Sequence, residues 1–181
     1  KQYGLLAFPA KHSLSPSIHN AGFKSLGIDA RYDLFEIPEN ELNDFVEKMK
    51  NDLAGLSISL PYKEVLMNSM DWVSDDVKKI GAVNTVVNKD GSLHGYNTDF
   101  IGSNRSLIEV VGDLKGKEVV VLGAGGASRA VIYGLLKEGA RVVGIINRTL
   151  ESAEKLAKEF SEMFDVQIKA HSSENLAGEL P

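Results

Sequence analysis

The sequence contains no cysteine. Disulfides, thiolate metal sites, iron–sulfur clusters and a cysteine nucleophile are therefore excluded. Histidine is sparse: His12, His19, His94 and His171 are scattered and form no H-E-x-x-H pattern, so a metal site has no support. Positive charge is not in excess either. Twenty Lys and Arg stand against 25 Asp and Glu, a net charge of -5. An isoelectric point near 5.4 argues against nucleic acid as a partner, because phosphate recognition needs clustered basic residues. No apolar run is long enough to span a bilayer. No signal peptide is visible in a chain that begins at Lys1. The expectation is a soluble cytoplasmic protein with a small-molecule partner, no membrane partner and no nucleic acid.

What is present suits a globular fold. The 181 residues are 43% hydrophobic and 25% charged, enough to bury a sizeable core. At roughly 150 residues per domain, the length allows one to one and a half domains. Short apolar runs alternate with helical periods, the pattern of an α/β protein. Tyr3 to Phe8 and Arg31 to Ile37 read as strands. Ser15 and Pro16 suit the cap and first position of a helix that Gly27 ends. Leu42, Phe45, Val46 and Met49 share one helical face. From Gly55 to Pro61 the pattern has period two, with Leu56, Ile58 and Leu60 on one side and Ser57 and Ser59 on the other. Asp90-Gly91 joins two short strands as a hairpin. Thr98-Asp99 opens a helix, and Gly112 to Lys117 interrupts the apolar pattern as a hinge would.

The second half is more regular. Val119 to Leu122 reads as a continuous buried strand, followed by Gly123-Ala124-Gly125-Gly126-Ala127-Ser128 and a helix. Gly123 permits the tight turn, Gly125 lets the backbone approach a pyrophosphate, and Ser128 is small enough for close helix–strand packing. The helix N-terminus offers N–H groups and a positive dipole end to phosphates. Val142 to Asn147 is the next strand, and Val166 to Ala170 the third. These elements make one half of a doubly wound nucleotide fold. The strand before Asn147-Arg148-Thr149 ends without the acid that would bond a ribose 2′-hydroxyl. Arg148 is suited to a 2′-phosphate, so the expected cofactor is NADP. In the plain alternative Arg148 is a solvated charge and Thr149 a helix cap.

Polar residues also gather at element ends in the first half. Ser13 and Ser15 can hold a carboxylate or two hydroxyls, or Ser15 is only a cap and Ser13 incidental. Lys63 follows Pro61 near a helix start, where a positive dipole end would ease loss of its proton; the alternative is an exposed lysine. Asn84-Thr85 and Asn97-Thr98 flank the hairpin, as ligand groups or as turn formers.

In order and spacing these motifs resemble the shikimate dehydrogenase family across nearly the whole chain. The residues concerned are His12 to Pro16, Pro61-Tyr62-Lys63, Gly81 to Thr85, Gly95 to Asp99, Gly123 to Ala127, and Asn147-Arg148-Thr149. The resemblance implies reversible NADPH-dependent reduction of 3-dehydroshikimate to shikimate, a step of aromatic amino-acid biosynthesis. It implies a substrate and catalytic domain over 1–98 and a Rossmann-type NADP domain over 99–181, incomplete here. It also implies roles: Lys63 and Asp99 as the catalytic pair; Ser13, Ser15, Ser59 and Asn84 on substrate; Gly123, Ala124, Gly125, Gly126 and Ala127 on the pyrophosphate; Asn147, Arg148 and Thr149 on the adenosine phosphate; and no metal. The family usually carries Asn-Val-Thr where this chain has Ser57-Ile58-Ser59. Ser59 supplies the threonine's hydroxyl, but Ser57 does not reproduce both functions of an amide. The family continues well past Pro181, so the sequence is expected to be truncated at its C-terminus. The competing expectations are a quinate/shikimate dehydrogenase that accepts NAD and a non-catalytic ligand-binding remnant. A monomer or homodimer is expected.

Overall fold

The computed structural model describes residues 1–175 and is mixed α/β. Contacts divide the chain into two compact units, one from Lys1 to Asn97 and one from Thr98 onward.

The first unit runs β1 (Gln2–Ala7), α1 (Ser15–Ser25), β2 (Arg31–Glu36), α2 (Leu42–Asp52), β3 (Gly55–Ile58), α3 (Tyr62–Val65), β4 (Trp72–Val73), α4 (Asp75–Ile80), β5 (Thr85–Lys89) and β6 (Ser92–Tyr96). Its six strands form one sheet in the order β2-β1-β3-β5-β6-β4. β1 pairs in parallel with β2 and β3, whereas β5 runs antiparallel to β3 and β6. One face is apolar: Leu6, Leu56, Ile58, Val86 and Leu93 pack with Phe45, Val46 and Met49 of α2. Each such Leu removed from water contributes about 1.5–3 kcal/mol, so this face fixes the register of the sheet. The other face carries Leu5, Tyr32, Ser57, Thr85 and Tyr96, and α1 lies against its β1–β2 edge. Asn20 of α1 ties the helix down: its amide donates to the Tyr32 carbonyl and accepts from the Tyr32 N–H, both at 2.8 Å.

The β5–β6 hairpin turns as its sequence demands, with positive φ at Asp90 (53°) and Gly91 (89°). Asn88 anchors the turn. Its Nδ2 lies 2.8 Å from the carbonyls of Met49, Lys50 and Leu53, and its Oδ1 accepts from the Gly91 N–H. Those carbonyls belong to the last turn of α2 and the residue that follows it, an end without a glycine cap.

Three details of this unit differ from expectation. Ser15 is the first residue of α1 rather than its cap; Leu14 holds the cap position, and the Ser13 hydroxyl accepts from the Ser15 N–H. β3 ends at Ile58, so Leu60 does not join the core and is 66% exposed. The chain has left the strand by then: Ser59 N–H bonds Leu6, and Phe8 N–H bonds the Leu60 carbonyl at 3.0 Å. α3 is a single turn, so it carries little macrodipole to act on Lys63.

The second unit runs α5 (Asp99–Val111), β7 (Glu118–Leu122), α6 (Gly126–Lys137), β8 (Arg141–Asn147), α7 (Leu150–Phe164) and β9 (Lys169–Ser172). The three strands are parallel in the order β7-β8-β9. α5 belongs with this unit: buried Asn104 donates to the Gly134 carbonyl of α6 at 2.9 Å, and Phe100 meets the Tyr133 ring edge-on. Gly112 to Lys117 therefore joins elements inside the second unit rather than serving as a hinge between the two. β7 is less buried than its apolar sequence suggests. Only Val121 is buried and Leu122 is 71% exposed, because β7 pairs on one side alone among the described residues. The third strand begins at Lys169, later than the Val166 start expected.

Candidate active site

In the first unit, Ser13, Ser15, Ser59 and Lys63 follow the C-terminal ends of β1 and β3, and Asn84 immediately precedes β5. Ser13 and Ser59, from two different loops, line one cavity of about 320 Å³ together with Leu5, Ala7, Ala10 and His12. Ser13 donates to the Ser15 hydroxyl at 3.2 Å, so the two serines form one polar edge. Ser15, Lys63 and Asn84 are not part of the cavity wall.

Backbone bonds nevertheless bring Lys63 and Asn84 next to β3. The Tyr62 N–H bonds the Ser59 carbonyl at 2.9 Å, and the Val83 N–H bonds the Lys63 carbonyl at 2.7 Å. The Ile58 N–H then reaches the Asn84 carbonyl at 2.7 Å. The Thr85 hydroxyl donates to the Asn84 side-chain oxygen at 2.8 Å, which fixes that amide's orientation. The base of the hairpin closes through Asn84 N–H to Tyr96 carbonyl and through the buried Asn97 amide to the Ala82 carbonyl, both at 3.0 Å. Asn84 and Asn97 thus meet around that base.

Sequence reasoning passed over Tyr32. It is 4% exposed, His19 stacks on its ring at 4.2 Å, and its hydroxyl has no hydrogen-bond partner. A buried hydroxyl left this way costs about 1–3 kcal/mol. Burial pushes its pKa up, while the nearby Ser57 hydroxyl pulls the other way. The two groups are close, yet no bond of ordinary geometry joins them. No pattern in the sequence marks this pair, because β2 and β3 are separated by a whole helix.

In the second unit, the glycine loop occupies the turn from β7 into α6. Gly123 has φ +106°, and a Cβ built there would lie 2.8 Å from the Ser128 hydroxyl. At Gly125 a Cβ would meet nothing within 4 Å, so glycine is not needed there for packing. Gly125 is the cap residue of α6 and has no side chain to satisfy the first N–H groups. A small anion such as a pyrophosphate fits that end, and the open space at Gly125 lets it come close. Asn147, Arg148 and Thr149 follow the end of β8. The Asn147 amide bonds the Thr149 carbonyl at 2.9 Å, and Arg148 is exposed. Thr149 holds the cap position of α7, but its side chain makes no capping bond, contrary to the plain reading of a helix cap. Asp99 is the first residue of α5.

Arg129 was also missed. It is buried, ion-paired with Glu159 of α7 and set over the Phe160 ring at 5.9 Å. It locks α6 to α7 one turn beyond the glycine loop.

No group of three or more His, Cys, Asp or Glu among the described residues is arranged to hold a metal, and no helix among them is long and apolar enough to cross a membrane.

An α/β unit with a cavity edged by two serines, followed by a strand–glycine loop–helix unit of Rossmann type, places the chain in the class of dinucleotide-binding α/β folds. Two family models divide the chain between them: a shikimate dehydrogenase substrate-binding domain over residues 5–86 and a shikimate/quinate 5-dehydrogenase domain over residues 106–179. The chain belongs to the shikimate dehydrogenase family. It is 42% identical, over 97% of its length, to the NADP(+) shikimate dehydrogenase of Caldanaerobacter subterraneus subsp. tengcongensis, of which it covers 63%. The crystal structure of shikimate dehydrogenase from Aquifex aeolicus superposes with a TM-score of 0.85 at 46% identity, over 93% of this chain and 62% of that one. The Thermus thermophilus enzyme, solved with NADP(H) and shikimate, gives 0.81 at 37% identity, over 92% and 62%. The chain thus spans about three fifths of the length of these relatives.

Proposed function

We propose that this chain carries an NADP-dependent shikimate dehydrogenase activity, the reversible reduction of 3-dehydroshikimate to shikimate in aromatic amino-acid biosynthesis. The observation that carries the reading is the cavity shared by Ser13 and Ser59, in a unit followed by a phosphate-type glycine loop. In this reading Ser13 and Ser15 bind the substrate carboxylate, and Ser59 and Asn84 bind ring hydroxyls. The backbone from Gly123 to Ala127 holds the pyrophosphate, while Asn147, Arg148 and Thr149 take the adenosine phosphate. NADPH, when bound, supplies the hydride for the carbonyl carbon. Lys63 delivers the proton to the carbonyl oxygen in reduction and recovers it from the hydroxyl in oxidation, with Asp99 as the second proton-handling group. The two serines align the ring so that the reacting carbon is held in place. A cytoplasmic location and a monomeric or homodimeric state belong to the same proposal.

Initial rates with shikimate or quinate, each paired with NADP or NAD, test it. Turnover with shikimate and NADP is expected. Faster turnover with quinate and NAD would replace the reading by a quinate/shikimate dehydrogenase. Binding of shikimate without turnover in the full gene product would mean a ligand-binding remnant.

A further inference from the structure

We infer that Tyr32 is a positioning residue of the substrate site: its buried phenol, unpartnered in the free protein, donates to Ser57 when the site is filled and turns the Ser57 hydroxyl hydrogen toward the bound hydroxylated ring acid. This rests on the function proposed above.

The placement comes from the sheet. Ser57 is the register partner of Leu5 on one side and of Thr85 on the other, so all three share a face. Leu5 lines the cavity, and so does Ser59, two residues beyond Ser57. Thr85 carries the bond to Asn84. Ser57 therefore stands beside the cavity-lining Leu5 and two residues before the cavity-lining Ser59. Tyr32 comes from β2 on the same face, pinned by the His19 stack and by both Asn20 bonds to its backbone. Its hydroxyl has no partner, although the residue is nearly sealed from water.

Native structures seldom leave such a group unpaired without a use for it. A serine hydroxyl has one hydrogen and can turn it either way. A phenol O–H donated to the Ser57 oxygen occupies the accepting side and leaves Ser57 as a donor toward the ligand. Here the work is divided between a short side chain and a phenol held behind it.

The test is an NMR titration of the chain with shikimate, comparing the unaltered protein with Tyr32→Phe, Ser57→Ala and the double variant. Tyr32→Phe and Ser57→Ala should each weaken shikimate about five-fold, the range of a single hydrogen bond. The double variant should be no weaker than the poorer single one, because the two groups act as a unit. Tyr32→Phe should keep or raise the melting temperature, since it removes an unpaired hydroxyl. NADP binding should be unchanged throughout. Unaltered affinity in Tyr32→Phe, multiplied losses in the double variant, or a lower melting temperature in Tyr32→Phe would each overturn the inference. Failure of the unaltered chain to bind shikimate would instead overturn the proposed function, and this inference with it.

Discussion

The two units hold their ligand groups by different means. In the first, the candidate groups are side chains from three segments: Ser13 and Ser15 at the start of α1, Ser59 and Lys63 on the stretch from β3 into α3, and Asn84 just before β5. In the second, the central element is backbone, the turn from Gly123 into the first N–H groups of α6, with side chains added only at Asn147, Arg148 and Thr149. Backbone donors recognise any pyrophosphate, so they define a class. Side chains gathered from distant segments recognise one shape, so they define a substrate. It follows that substitutions in the first unit should alter chemistry and substrate use while sparing the cofactor, and that substitutions in the second should do the reverse.

The largest effect expected is at Lys63. Lys63→Ala should lower turnover by about 10²–10⁴-fold, the usual contribution of a positioned acid–base group. NADP affinity should be nearly unchanged. Near-normal initial rates would remove Lys63 from the chemistry and erase the contrast.

Arg148→Ala should weaken NADP by about ten- to a hundred-fold, as expected for loss of a charged hydrogen bond to phosphate. NAD should be little affected. Equal loss for both cofactors in a fluorescence titration would mean that Arg148 does not read the 2′-phosphate.

The glycine loop separates two effects within one unit. Gly123→Ala forces a side chain into a left-handed conformation and against Ser128, at a cost of about 1–3 kcal/mol. A melting temperature lower by several degrees is expected. Gly125→Ala meets no protein atom, so the melting temperature should hold while NADP binding falls. Thermal scans with and without NADP distinguish the two variants; identical behaviour would remove the argument.

The smallest effect lies at an exposed ion pair on β2. Arg31 beside Asp33 holds the Asp33 carboxyl below its ordinary range. A group lowered in this way stabilises the fold above its unfolded pKa and loses that contribution as pH falls through the folded value. Asp33→Asn should therefore reduce stability slightly at neutral pH, with a difference from the parent that vanishes in acid. The pair is exposed and screened by salt, so the shift should be the slightest of these. A pH-independent difference in urea unfolding would assign it another cause.

What was legible in the sequence follows the same division. The glycine loop could be read directly, because strand, turn and helix are contiguous there. The apolar stripe of α2 was equally plain: Leu42, Phe45, Val46 and Met49 are all buried. The first unit's roles came from resemblance, since no local rule joins Ser13 to Ser59. Local rules also misjudged ends. Leu60 continued the alternation in sequence but not in space, because the backbone leaves β3 after Ile58. Ser15 looked like a cap, yet Leu14 took that position and Ser13 supplied the oxygen. The buried Tyr32 hydroxyl and the Arg129–Glu159 lock were invisible because each depends on contacts between separate elements.

The Asn88 amide carries a consequence of another kind. Hairpin tips are ordinarily where a protease cuts first, since they open without disturbing anything else. Here the tip at Asp90-Gly91 is tied through one side chain to the end of α2. To present that bond for cleavage, the molecule must give up the helix end as well. The amides on either side of the turn should therefore exchange with solvent in step with the last turn of α2, as one cooperative patch, and a short surface loop inherits the lifetime of a helix.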